Sequence, residues 1–112
     1  MTDRIYALAR EVVWERDNGW CVLCGRTAES VHHRQGRGGK TPHRLSNLIS
    51  VCGDGVRGCH GRIHANPSAA YAHGWMVPRN GIRSTTDTPI KTTRGWTLLA
   101  DDGSYITTEA PA

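Results

Sequence analysis

The sequence predicts a small α+β fold with an N-terminal helix and a C-terminal β-hairpin. Three observations point there. Apolar residues near the start recur at helical spacing. Two pairs of cysteines bracket short β-branched segments in the middle. Near the end, Asp101-Asp102-Gly103 separates two stretches rich in strand-forming residues. A chain of 112 residues without Phe and with 13 Gly has little apolar area to bury. Folds of this kind need a staple, and the cysteines are the obvious source.

Taking the elements in order, Ile5, Leu8, Ala9, Val12 and Val13 fall on one helical face, so the spacing predicts a helix over 3–18 packed on the central part of the chain. Thr2 or Asp3 caps its start, and Asn18-Gly19 offers a left-handed stop. Cys21-Val-Leu-Cys24-Gly25 reads as a tight knuckle. Glu29–Arg34 reads as a short strand. From Arg34 to Arg44 the segment RQGRGGKTPHR is too rich in Gly and charge for regular structure and is expected as a flexible basic loop. A second extended segment comes next, over Leu45–Val51. A Gly-rich excursion between Cys52 and Cys59 then leads into a short helix carrying His60 and His64. Asn66-Pro67 is a cap followed by proline at the first helical position, opening another helical piece to His73-Gly74. Residues 78–94 read as a linker, and Trp96–Ala100 with Ser104–Thr107 form the hairpin. The chain thus divides into a main unit, 1–77, and an extension, 78–112. No internal repeat is present.

Cys21 and Cys24 form a CxxC, and Cys52 and Cys59 a wider pair. No signal peptide or membrane span is legible, so the expected setting is the reducing cytoplasm, with no membrane partner. Paired cysteines there read as a structural zinc site rather than disulfides. Four buried, unliganded thiols are the plainer alternative. The six residues between Cys52 and Cys59 include Gly53, Gly55 and Gly58, which let the loop fold back and present both sulfurs. A formal charge of +4 and a pI near 9.2 agree with a polyanionic partner.

The histidines are more specific. His32 and His33 are adjacent on a predicted strand, so they point to opposite faces and suit two different roles, one as a metal ligand and one as a base. His60 and His64 are four apart on a predicted helix and share a face able to grip one cation. His32, His60 and His64 together would leave coordination positions open. His60 adjoins Cys59 and is also placed to serve the cysteine site. His43 and His73 read as ordinary surface or hydrogen-bonding residues.

The order Cys-x-x-Cys, His32-His33, Asn47-Leu48-Ile49 before a cysteine, then Cys59-His60-x-x-x-His64 resembles the HNH endonuclease family. The resemblance spans roughly residues 14–66, including Glu15-Arg16-Asp17. It is most similar to small phage and prophage HNH proteins with a four-cysteine zinc site. It implies a zinc-stabilised ββα-metal fold and metal-dependent hydrolysis of DNA phosphodiester bonds. It further implies His32, His60 and His64 as ligands of a catalytic divalent cation, His33 as general base and Asn47 as the middle letter of the motif. The departure is the long Cys52–Cys59 spacing.

The chemistry is consistent with those roles. A neutral imidazole with a pKa of about 6.5 can deprotonate water near neutral pH. Asn47 cannot titrate and is expected to position groups by holding the His33 loop through its amide. Imidazole ligands favour zinc, nickel or manganese, and an open site can also use magnesium, so the catalytic ion stays open. Arg34, Arg37, Lys40 and Arg44 are expected to contact DNA phosphates, with weak sequence preference. For a phage-encoded chain the resemblance suggests a role in genome packaging beside terminase subunits in the host cytoplasm. Two other classes stay in view. One is a zinc-stabilised DNA-binding or adaptor module with an inactive centre, which would not need the complete histidine set. The other is a thiol redox protein on Cys21 and Cys24, weakened by the lack of a βαβ pattern around them.

Overall fold

A computed structural model describes residues 2–80 and 83–111. Helix α1 spans Thr2–Arg16, and Asn18 (φ 57°) and Gly19 (φ 71°) end the turn after it. The Thr2 and Asp3 side chains, expected as caps, lie outside the described residues. The knuckle Cys21–Gly25 closes with Gly25 N donating to Cys21 O at 2.8 Å.

Strands β1 (Ser30–His33) and β2 (Leu48–Val51) pair antiparallel, and a single 3₁₀ turn, Leu45–Asn47, precedes β2. The register sets Ser30 opposite Val51, Val31 opposite Ser50, His32 opposite Ile49 and His33 opposite Leu48. Directly opposed residues share a face, and successive residues alternate. One face of this hairpin therefore carries Val31, His33 and Leu48. It packs on Ala9 and Val13 of α1. The other carries Ser30, His32, Ile49 and Val51. It meets α2 (Gly58–Ala65), whose Ile63 joins Ile49 and Val51 in the larger core cluster. All four residues of β2 are buried, as expected for a strand covered on both sides.

The stripe expected on α1 divides. Ala9 and Val13 are buried, while Ile5, Leu8 and Val12 are 62, 58 and 43 % exposed. The line that packs is Ala9, Val13 and Arg16. The other three lie to one side of it, roughly 50° (Ile5) to 110° (Leu8) around the helix. Arg16 replaces an apolar contact with polar ones, donating to Leu45 O at 2.9 Å and Leu48 O at 2.7 Å. Its neighbour Asp17 is buried, pairs with Arg16 at 2.8 Å, and accepts from Ser50 N at 3.0 Å and from Tyr105 Oη. Helix α1 is thus locked to β2 by its polar C-terminal end as much as by its apolar face.

Helix α3 (Pro67–Ala72) starts as expected, with Asn66 Oδ1 accepting from Ala69 N at 3.3 Å. The 78–94 stretch, expected as a linker, is structured over much of its described length. Thr88 Oγ1 donates to Ser84 O at 2.8 Å, and β3 (Ile90–Thr92) pairs with β4 (Gly95–Leu99). Strand β4 pairs in turn with β5 (Tyr105–Thr107), so the expected hairpin is two strands of a three-stranded antiparallel sheet. Ile90 and Leu99 share the core cluster of Ile49, Val51 and Ile63. The molecule is a small α+β fold of helices and antiparallel sheets with four cysteines close together. No helix among the described residues is long and apolar enough to cross a membrane.

Candidate metal centres and the histidine site

The Gly-rich excursion after β2 is a closed loop. Gly53 (φ 79°) and Gly58 (φ 66°) lie against each other so tightly that a Cβ on Gly53 would stand 2.0 Å from Arg57 O. Asp54 Oδ1 accepts from Val56 N at 2.9 Å and Arg57 N at 3.0 Å, which fixes the turn. The loop brings Cys59 back beside Cys52, whose sulfur accepts from Cys59 N at 3.4 Å. The ligand atoms of Cys21, Cys24, Cys52 and Cys59 all lie within 4.8 Å of one another. Cys24 and Cys52 sulfurs are 3.6 Å apart, far beyond a disulfide bond of about 2.05 Å. Burial raises the thiols of Cys21 and Cys59, so deprotonating the set calls for a positive charge among them. Four convergent thiols of this kind fit a structural metal site.

One residue along the same helix, the donor changes from sulfur to nitrogen. His60 faces away from Cys59 toward β1, and with His32 and His64 it places three ring nitrogens within 4.8 Å of one another. The two sets are separate, so His60 belongs with the histidines and not with the cysteines.

Hydrogen bonds assign the free nitrogen on two of these rings. Trp75 O lies 2.9 Å from His32 Nε2. A carbonyl only accepts, so Nε2 carries the proton and Nδ1 holds the available lone pair. Ser30 Oγ donates its one hydrogen to Gly53 O at 2.7 Å. Its 2.8 Å contact with His60 Nδ1 is then one in which His60 donates, leaving His60 Nε2 free. Such partners orient ligating imidazoles and fix their tautomers. His32 is 3 % exposed, and burial pushes it down to about 3, aided by the neighbouring His60 and His64. Burial, then His64, also lowers His60. Three convergent imidazoles, with two lone pairs assigned, suit a divalent cation.

His33 lies on the opposite face of β1, where Tyr6 of α1 covers it at 5.5 Å between ring centroids. Burial, with Arg37 and His43 next in importance, pushes its pKa down to about 4. It is therefore neutral across the physiological range. Its Nε2 lies 3.1 Å from His43 Nδ1. Asn47 is buried and uses both ends of its amide on the loop between them. Oδ1 accepts from Gln35 N at 2.7 Å, while Nδ2 donates to Pro42 O at 2.7 Å and Gly36 O at 3.2 Å.

The four basic residues of the loop part company. Arg34, expected at the surface on phosphate, is 1 % exposed. It donates to Gly74 O at 2.9 Å, Ser46 O at 2.9 Å, Thr85 O at 3.0 Å and Thr88 O at 2.8 Å. Its donors are spent on the protein's own backbone, so it has no route to a DNA strand. Arg44 pairs with Asp101 at 2.8 Å on the surface. Arg37 and Lys40 are exposed, with Arg37 also lying over the Tyr6 ring at 4.9 Å.

Nothing in the sequence pattern assigns a special part to Ser30, Tyr6 or His43. Ser30 carried a usable signal, being two residues before His32 on a predicted strand and so on its face. Tyr6 and His43 reach the site only through tertiary contacts. No family model, curated protein or solved structure matches the chain.

Proposed function

We propose that the protein is a metal-dependent DNA endonuclease of the HNH type, stabilised by a zinc ion on Cys21, Cys24, Cys52 and Cys59. The observation that carries this reading is the division of labour at β1. His32 joins His60 and His64 in a three-nitrogen cluster, while the next residue, His33, is neutral and outside that cluster. A binding module needs the cysteines but has no use for a second, open set of ligands beside an uncharged base.

His32, His60 and His64 would hold the cation through His32 Nδ1, His60 Nε2 and one nitrogen of His64. When bound, it polarises a phosphoryl oxygen and stabilises the departing 3′ oxygen. His33 accepts a proton from the attacking water. The resulting hydroxide bonds to phosphorus, the bond from phosphorus to the 3′ oxygen breaks, and solvent protonates that oxygen. His33 directly follows His32 on β1, so the base and the cation site are carried by adjacent residues of one strand. Asn47 holds the loop after the base, which limits reorganisation during the step. Arg37 and Lys40, exposed on that loop, attract the strand without reading bases.

Cleavage of supercoiled plasmid across a panel of divalent metals tests this, with wild type beside His33→Ala. Metal-dependent cutting by wild type and a loss of about two or more orders of magnitude in the variant, with DNA and metal binding kept, is the expected result. A folded wild type that cuts with no metal would turn the assignment to a DNA-binding adaptor.

A further inference from the structure

The contact between His33 and His43 goes beyond this reading of the site and rests on it. His33 Nε2 and His43 Nδ1 are 3.1 Å apart, a hydrogen bond between two imidazoles that holds one shared proton. Among the described residues no protein group bonds His33 Nδ1. We propose that His43 is a positioning residue for the base: it accepts a hydrogen bond from His33 Nε2–H and thereby leaves His33 Nδ1 as the nitrogen that takes the proton from water.

The proton can sit on either side of this contact, but only one choice yields a base. If His43 donated, the neutral His33 ring would carry its hydrogen on Nδ1 and have no free lone pair. With His43 as acceptor, His33 keeps Nε2–H throughout. It becomes an imidazolium on receiving the second proton at Nδ1, and the bond to His43 strengthens as that charge appears.

Three further contacts hold the geometry. Tyr6 lies tilted against both rings, its centroid 5.5 Å from His33 and 4.8 Å from His43. Asn47 grips Pro42 O beside His43 and Gln35 N beyond His33, so one buried amide sets the separation of the two histidines. The 34–44 loop is therefore a frame for a histidine pair, where the sequence alone suggested a flexible basic segment.

The test compares wild type, His43→Leu and His43→Asn. Leucine keeps apolar packing against Tyr6 and has no acceptor. Asparagine places an amide oxygen close to where Nδ1 stood. In plasmid cleavage we expect His43→Leu to lower kcat about 10- to 100-fold with KM within about twofold, and His43→Asn to recover to within about fivefold of wild type. Zinc content and circular dichroism of each variant check that folding is intact. Long-range ¹⁵N–¹H correlation spectra of the wild type should show the His33 proton on Nε2, and a redistribution toward Nδ1 in His43→Leu.

A wild-type proton on His33 Nδ1, or wild-type kcat in a folded His43→Leu, overturns the proposal. So does a change confined to KM, which would make His43 a phosphate contact. A His43→Asn variant as slow as His43→Leu rejects the acceptor role. If wild-type protein cuts nothing, the nuclease reading fails by itself, and the tautomer spectra still decide the direction of the bond.

Discussion

Cys59 and His60 are consecutive residues on α2, yet each belongs to a different cluster. The cysteine cluster brings four sulfurs within 4.8 Å of one another, enough to fill the four positions of a tetrahedral metal and leave none for a substrate. The histidine cluster grades from buried His32 through half-buried His60 to exposed His64, so one side opens to solvent. A set of three ligands there leaves positions for water and phosphate. The difference teaches how a chain with little apolar core can hold a second, open set of donors in place. Cys59 ties α2 to the cysteine set, and α2 in turn carries two of the three clustered histidines against β1.

That dependence should run one way, and breaking the closed set should have the largest effect. Replacing Cys59 by Ser, or stripping metal with a strong chelator, is expected to cost more than about 5 kcal/mol, because structural zinc binding is folding free energy. The cooperative transition near room temperature should vanish and the histidine site with it. His64→Ala, by contrast, should keep the fold and the cysteine-bound metal while losing cleavage. Thermal melts followed by circular dichroism, with metal content measured alongside, decide this. A Cys59→Ser protein that melts like wild type would dissolve the distinction between the two centres.

Within the basic loop, the same contrast between closed and open recurs at a smaller scale. Arg34→Met should destabilise by about 3–5 kcal/mol, since four carbonyls, three of them buried, lose their donor at once. Urea unfolding measures it. A double change, Arg37→Ala with Lys40→Ala, should leave stability within about 0.5 kcal/mol. Its effect belongs on DNA binding, where the slope of log K against log salt should fall by about two. An unchanged slope would remove both residues from the DNA interface.

How much of this was legible in the chain depends on whether the signal was local. The strand–helix frame of the site was local: β-branched residues around His32, the i, i+4 spacing of His60 and His64, and the glycines of the Cys52–Cys59 loop sufficed to expect β1, β2 and α2. The left-handed stop at Asn18-Gly19 and the Asn66 cap were legible for the same reason. Arg34 was not, because its surroundings in sequence are Gly and charge, while its partners Gly74, Thr85 and Thr88 come from 40 or more residues away. Those partners also explain the order in the stretch read as a linker, which borrows its donors from Arg34. Ile5, Leu8 and Val12 misled in the opposite sense, since periodicity marks an apolar stripe but not which edge of it meets the hairpin. His43 has no periodic signature at all and is brought to His33 by the loop that Asn47 ties.

The finest test of the two-centre picture uses acid. Burial holds His33 at about 4, below the value of about 6.5 expected in the unfolded chain. Between those values the unfolded chain binds the extra proton, so stability rises with pH across that window. The contribution is fully present above about 6.5 and is lost as pH falls toward 4. From pH 7.5 to 5.5, allowing for partial exposure, His33 should account for about 1 kcal/mol of lost stability. His33→Asn cannot titrate and should lose about that much less over the same interval. Acid sensitivity from the cysteine set and from His32 is common to both proteins and cancels in the difference. Chemical denaturation of the zinc-loaded proteins at the two pH values measures it. Equal slopes would mean that His33 titrates alike in the folded and unfolded chains, and that burial does not hold it neutral in mild acid.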